Sequence, residues 1–253
     1  MIPKIIHYCW FGRGEKPELA KKCIASWEKY CPDYKIIEWN EDNFDVNGCT
    51  FTKEAYKAKK WAFVTDYVRL WAIVNYGGIY MDADVEVIRP LDRFLTETAF
   101  SGFQGDSFCV TGIMAGEKGF PCYRELLDSY ETRSLFNKDG GFTPNTNIIT
   151  DYFISLGFIP NGQKQTIAGY TVFPAETFCP MDFSTRIVNK SKDTYTIHWF
   201  DASWVKSNQA ILDQYWQKNH VLARFVGKRA ANYLVRQYYR VFKKTEWSTI
   251  VSQ

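Results

Sequence analysis

No stretch of this 253-residue chain comes near 18 consecutive apolar residues, so no transmembrane span is expected. The chain is not short of apolar material, however: at 46% hydrophobic and 17% aromatic it is far too rich for intrinsic disorder. Its seven cysteines (Cys9, Cys23, Cys31, Cys49, Cys109, Cys122, Cys179) are odd in number, scattered and never spaced Cys-x-x-Cys. That pattern argues for buried reduced thiols rather than a disulfide framework or a zinc site. Met1-Ile-Pro-Lys4 runs into strand-like sequence with no basic region, apolar core and cleavage site, so no secretory signal is read and a cytoplasmic location is expected. A dinucleotide fingerprint is also missing. Gly12-Arg13-Gly14 follows a strand-like segment, but the third glycine is absent and Pro17 intervenes, which argues against a nucleotide-dependent oxidoreductase.

The net charge of +3 conceals an asymmetry. Residues 1–213 hold 23 Lys+Arg against 27 Asp+Glu, while residues 214–253 hold 8 against 1. In that last segment Arg224, Lys228, Arg229, Arg236, Arg240, Lys243 and Lys244 alternate with Leu222, Phe225, Val226, Leu234, Val235, Tyr238, Tyr239 and Phe242 at helical spacings. It reads as a basic amphipathic tail, either packed on the body through its apolar side or set against an anionic membrane surface. Nucleic acid is not expected, because the slightly acidic body carries no helix-turn-helix, zinc-finger or RNA-binding signature.

Along the body, β-branched and aromatic residues from Lys4 to Trp10 predict a buried strand feeding a Gly12–Gly14 loop. Pro17 opens a helix to Tyr30 that repeats Leu19, Cys23, Ile24 and Trp27, and Tyr34–Trp39 is a second strand. Strand, helix, strand is the opening of a parallel α/β sheet. One helix is expected from Lys53 to Tyr76, capped by Gly77-Gly78, then strands at Ile79–Met81, Val85–Ile88, Ala99–Phe103 and Val110–Met114. Helices are expected at Pro121–Thr132 and Thr146–Leu156, and β-rich, turn-rich sequence from Tyr170 to His198. No internal repeat or linker precedes residue 214 or so.

The chemistry concentrates between Trp61 and Asp84. Asp82 and Asp84 stand two apart at the carboxyl end of a strand, where open α/β sheets bind ligands. Their side chains can point alike only if the backbone leaves its regular pleat there; converging, the two carboxylates would make a hard, oxygen-rich site for Mg²⁺ or Mn²⁺ of the kind that also takes a substrate phosphate. Two solvated turn carboxylates are the plain alternative. Asp66 and Arg69 are three apart on the preceding helix and share a face. They read either as a surface ion pair or as a functional pair. The neighbouring Val68, Leu70 and Trp71 favour the second: Asp66 accepts hydrogen bonds from sugar hydroxyls, and Arg69 steadies a carboxylate or phosphate with its fork of donors. His198, one of only three histidines, follows a predicted strand and is either a structural residue or a third metal ligand.

These residues resemble the DXD glycosyltransferases related to family 32, which include bacterial capsular-polysaccharide sugar transferases and fungal Golgi mannosyltransferases; the catalytic domains of the glucosylating clostridial toxins are similar more distantly. The likeness rests on Ile2–Gly12, on Thr65-Asp66, Arg69 and Gly77–Asp84, and on Phe178–Asp182 with Ile197-His198 and Ser203-Trp204. It implies an α/β fold of the GT-A nucleotide-diphospho-sugar type, with a mostly parallel central sheet flanked by helices over residues 1–213 and a helical tail over 214–253. It further implies that Trp10 stacks on the nucleotide base, unless it is simply core, and that Asn40 meets the nucleoside. Asp66 and Arg69 would hold the donor sugar, Tyr80 the nucleotide side, and Asp82 the ribose, sugar and metal, with Asp84 the direct metal ligand. Ser203 and Trp204 would close over the diphosphate, and His198 would meet metal or phosphate. Trp199 departs from the family, whose members often carry a second histidine there. Thr143-Pro144-Asn145 resembles a loop lining the donor and acceptor pocket, and a turn before a helix explains it equally well.

The implied reaction is metal-dependent hexosyl transfer from a nucleotide diphosphate sugar to a saccharide or lipid-linked saccharide hydroxyl, with retention, in surface or capsular polysaccharide synthesis. UDP-galactose and UDP-glucose are the favoured donors and GDP-mannose the alternative. A membrane contact through the tail would place the protein peripherally at the cytosolic face of the inner membrane. The rival from another class is a non-catalytic protein that binds nucleotide sugar or lipid-linked glycan.

Overall fold

The computed structural model describes residues 1–109, 111–136, 142–201 and 209–242. Its elements in chain order begin with β1 (Ile5–Cys9), α1 (Glu18–Tyr30), β2 (Lys35–Trp39), α2 (Thr50–Lys57), α3 (Trp61–Tyr76), β3 (Gly78–Met81), β4 (Val85–Val87) and β5 (Ala99–Gln104). Next come β6 (Phe108–Cys109), β7 (Ile113–Gly116), α4 (Pro121–Ser129), α5 (Asn145–Ser155), β8 (Gln165–Ile167), β9 (Tyr170–Phe173), α6 (Ala175–Phe178) and β10 (Thr196–His198). Two helices follow, α7 (Gln209–Val226) and α8 (Lys228–Phe242). The main sheet has eight strands in the order β2-β1-β3-β7-β5-β9-β8, with β6 paired to β5. The strands β2, β1, β3, β5 and β9 run one way, while β7, β8 and β6 oppose them. The expected α/β architecture, a largely parallel sheet flanked by helices, is therefore present.

The apolar pattern explains the burial. In α1, Cys23 and Trp27 are fully buried, and the Trp27 indole donates to the Val85 carbonyl at 2.7 Å, tying the helix to β4. The helix expected from Lys53 to Tyr76 is two helices. Lys59 sits in the left-handed region at φ +55, and the Lys59 and Lys60 amides turn back to the Tyr56 and Ala55 carbonyls, both at 2.9 Å. This is a Schellman termination built without glycine. The second piece, α3, buries Val64, Val68, Leu70, Ala72, Ile73 and Val74, more than one side of a helix, because the sheet, α2 and α4 all pack on it. Other boundaries move less. The strand expected at Val110–Met114 is β7 at Ile113–Gly116, α4 stops at Ser129, and Tyr170–His198 resolves into β9, α6 and β10.

Two features seat α3 against the start of the sheet. Gly77 caps the helix at φ +69, its amide on the Ile73 carbonyl at 2.7 Å, and Gly78 opens β3 at φ +117. A Cβ on Gly78 would stand 2.7 Å from the Ile5 carbonyl oxygen, so only glycine lets β3 lie beside β1 here. His7 of β1, fully buried, bonds the Gly77 carbonyl through Nε2 at 2.8 Å and accepts the Trp39 indole on Nδ1 at 3.2 Å. Both bonds suit the neutral ring, and burial holds its pKa down at about 4.

The chain divides into two compact units: Met1–Pro180 with Lys190–Trp199, and Met181–Asn189 with Phe200 onward. The sequence reading placed a boundary at 213/214 instead. The first unit holds the sheets. In the second, α7 and α8 form an antiparallel pair whose seam is Tyr215, Trp216, Val235 and Tyr239, with Phe183 and Leu222 packed against it. All seven cysteines are buried and none is in a disulfide, as the spacing suggested.

Candidate active site

Three parallel strands deliver the expected residues to one edge. His7 pairs with Tyr80 and Cys9 with Trp39, so Trp10, Asn40 and Asp82 emerge side by side beyond the carboxyl ends of β1, β2 and β3. After Met81 the chain leaves the pleat in a tight turn, Val85 N–H returning to the Asp82 carbonyl at 3.0 Å. That turn is tied on every side. The Asp82 amide donates to the Gly112 carbonyl at 2.8 Å, and the Trp199 amide donates to the Asp84 carbonyl at 3.0 Å. The short β4–β10 pairing, Val85 opposite His198, then brings the imidazole over the turn.

The result is a convergent trio. His198 Nε2 lies 3.3 Å from Asp84 Oδ1 and 4.0 Å from Asp82 Oδ2, and one ligand atom from each of Asp82, Asp84 and His198 falls within 4.8 Å of the others. Two carboxylates and an imidazole at this spacing fit Mn²⁺ or Mg²⁺ in donor type and in number, leaving positions for phosphate oxygens or water. Burial works against a charged imidazole, but the Asp84 charge and hydrogen bond, with help from Cys179, outweigh it and hold His198 well above its ordinary value. The ring has a floor: a Cβ on Gly112 would meet it at 2.7 Å. Nothing in the sequence around Gly112 had marked it as part of the site.

Beside the trio sits a buried electrostatic hub. Arg69, 4% exposed, directs Nη2 to Asp66 Oδ1 at 3.2 Å and Asp82 Oδ1 at 3.4 Å, and Nη1 to the Thr111 carbonyl at 2.5 Å. Its guanidinium lies over the Tyr80 ring, 4.8 Å from the centroid. The Tyr80 hydroxyl donates to Asp82 Oδ1 at 2.7 Å. Asp82 is thus gripped through one oxygen by Tyr80 and Arg69, while its other oxygen is the one nearer His198. Arg69 was read as steadying a substrate group and Tyr80 as meeting the nucleotide; the structure buries both and aims them at Asp66 and Asp82, so they position carboxylates. Burial pushes Asp66 up to about 7, against the pull of the Arg69 cation and with Asp82 adding to the rise.

The remaining expected residues are placed as follows. Trp10 is half-buried rather than core, its indole held by the Gly14 carbonyl at 2.6 Å, with Lys16 5.6 Å above the ring. Asn40 shapes its own turn, its amide oxygen accepting from Asp42 N–H at 2.9 Å and its amide nitrogen donating to Glu38 at 3.1 Å. Asn145 opens α5, buried, and the adjacent Thr146 hydroxyl reaches the Thr111 hydroxyl at 3.4 Å, so that helix start neighbours the Arg69 hub. Trp199, where a second histidine was noted in relatives, donates its indole to Glu86 at 2.9 Å. Ser203 and Trp204 lie outside the described residues.

Residues 17–101 match the protein family described as the glycosyltransferase sugar-binding region containing a DXD motif. Among curated proteins, the chain is 30% identical over 134 residues to inositol phosphoceramide mannosyltransferase 3 of Schizosaccharomyces pombe, covering 50% of this chain and 36% of that one. It is 28% identical over 140 residues to a mannosyl phosphorylinositol ceramide synthase of Saccharomyces cerevisiae, covering 51% and 35%. The match thus spans little more than a third of these relatives' length. Among solved structures, a glycosyltransferase involved in glycosylation of the major capsid of PBCV-1 aligns at a TM-score of 0.49 and 14% identity, over 83% of this chain and 100% of that one. Asp82-Ala83-Asp84 falls inside the segment that matches this family's model.

Proposed function

We propose that this site transfers a hexose from a nucleoside diphosphate sugar to a hydroxyl acceptor. The observation that carries the reading is the convergence of Asp82 and Asp84, at the end of β3 and inside the segment that matches the family, with His198 of β10. The bond to be broken joins the anomeric carbon to a phosphate oxygen. Negative charge collects on the departing diphosphate while the sugar gains oxocarbenium character. Asp82, Asp84 and His198 would hold a divalent cation, which would supply Lewis-acid stabilisation of that charge. Asp66, poised near neutrality between its two forms, gives or takes a hydrogen bond at a sugar hydroxyl, and Arg69 keeps Asp66 and Asp82 in place. Trp10 offers a stacking face for the base at the same sheet edge. Ser203 and Trp204 would add donors to the diphosphate, and transfer would proceed with retention.

The relatives named above are called an inositol phosphoceramide mannosyltransferase and a mannosyl phosphorylinositol ceramide synthase, which speaks for a mannosyl donor; the UDP-galactose or UDP-glucose favoured by the bacterial resemblance is the competing reading. The acceptor in this proposal is a saccharide or lipid-linked saccharide, met at the cytosolic face of a membrane during surface polysaccharide synthesis. Purified protein incubated with a panel of UDP- and GDP-sugars should release nucleoside diphosphate slowly from one donor, with Mn²⁺ and not with chelator. Binding of a donor with no release from any would favour the non-catalytic binding protein.

A further inference from the structure

The face that α7 and α8 present to solvent belongs to neither the site nor the packing seam. Val235 and Tyr239 of α8 are buried against Tyr215 and Trp216 of α7, Ala223 and Ala231 are buried as well, and Gly227, at φ +79, makes the turn between the helices. Beside that seam, Val221 is 51% exposed, Phe225 81%, Val226 46%, Leu234 48% and Tyr238 40%. Val221, Phe225, Leu234 and Tyr238, together with Leu222, border an open groove of about 760 Å³. Large apolar side chains gathered this way on a surface mark an interaction face.

The charge of the two helices names the occupant. From Gln214 to Thr245 the chain has no Asp or Glu, while Lys218, Arg224, Lys228, Arg229, Arg236 and Arg240 fall on the two helices. Lys218 lies 4.3 Å from the Tyr238 ring centroid, its charge beside the aromatic face. A second copy on this face would oppose one segment of net +7 to another. A bilayer containing anionic lipid answers both features, with negative headgroups for the basic residues and acyl chains for Phe225, Val221 and Leu234. We infer that the α7–α8 hairpin is a membrane-surface docking element that lays this apolar face into the interface of an anionic bilayer, with Phe225 beside the Gly227 turn as its main anchor.

The inference specifies the membrane contact included in the functional proposal, and its test needs no sugar. Full-length protein is sedimented with vesicles of phosphatidylcholine alone or with about a third phosphatidylglycerol, at low and high salt, without nucleotide. Binding should be at least tenfold stronger to anionic vesicles and weaken with salt. Val221→Ser with Phe225→Ser, two exposed positions whose change leaves the seam intact, should lower it tenfold or more, as should Arg229→Gln with Arg236→Gln. Circular dichroism confirms folding of each variant. Equal affinity for neutral vesicles, no binding, or anionic binding untouched by both pairs would overturn the inference. So would a soluble dimer dispersed by the Val221/Phe225 pair. Donor cleavage by a protein that ignores vesicles leaves the catalytic reading standing, and vesicle binding by an inactive protein leaves this one standing.

Discussion

Replacing Asp84 by alanine should lower donor cleavage by about a thousandfold or more while leaving the fold intact. The activity loss follows from the place of Asp84 in the trio, its Oδ1 3.3 Å from His198 Nε2. Losing a charged ligand to a catalytic cation forfeits several kcal/mol of leaving-group stabilisation, and each ~1.4 kcal/mol is tenfold in rate. The fold survives because the turn is held by backbone. Asp82 N–H on Gly112, Val85 N–H on Asp82 and Trp199 N–H on the Asp84 carbonyl all persist when the side chain goes. Unfolding in urea should show stability within about 1 kcal/mol of the wild type, the range of a substitution outside the core. A variant that is inactive because it is unfolded, or folded and fully active, contradicts this.

Arg69→Ala should do the reverse and damage the fold most. Arg69, itself buried, is the cation shared by buried Asp66 and partly exposed Asp82 and the donor to the carbonyl of buried Thr111. Removing one member of a buried ionic cluster leaves the others uncompensated, at a cost of about 3–5 kcal/mol. Here the cost is tempered because Asp66 can take up a proton. Its pKa, already pushed up to about 7 by burial, should rise further without the guanidinium, so the penalty is smaller in mild acid than at pH 8. In the ligand-free protein the thermal midpoint should fall by about 10 °C. Arg69→Lys should not restore it, since one ammonium cannot reproduce the fork that meets Asp66, Asp82 and Thr111 together. A midpoint within 2–3 °C of wild type for Arg69→Ala would show that the hub carries little of the stability.

How much of this was readable beforehand depended on whether the signal was local. Pro17 and the Cys23–Trp27 spacing marked α1, Gly77-Gly78 marked the end of α3, and Asp82 with Asp84 at a strand end marked the site, because each rests on neighbours in the chain. The break at Lys59 was invisible, since a lysine in the left-handed region carries none of the signal a glycine would. Arg69 was singled out from its spacing to Asp66, but where its donors point was not readable. Nothing within its own helix says that Asp82, from the next strand, and the Thr111 carbonyl, from a distant loop, will occupy its donors. Gly112 was missed for the same reason, as its neighbour His198 is far along the chain. The two compact units escaped because their boundaries at Pro180, Asn189 and Trp199 interleave, and a composition change at residue 214 follows only the helices.

The claim on which the rest depends is that Asp82, Asp84 and His198 form one cation site. Titration of Mn²⁺ into the purified protein, followed by the loss of the free-ion paramagnetic signal in the presence of UDP or GDP, tests it without requiring turnover. One Mn²⁺ per chain is expected for the wild type, with affinity at least tenfold weaker in His198→Ala and no measurable site in Asp84→Ala. Undiminished binding in Asp84→Ala, or no binding by the wild type with either nucleotide, would contradict the account.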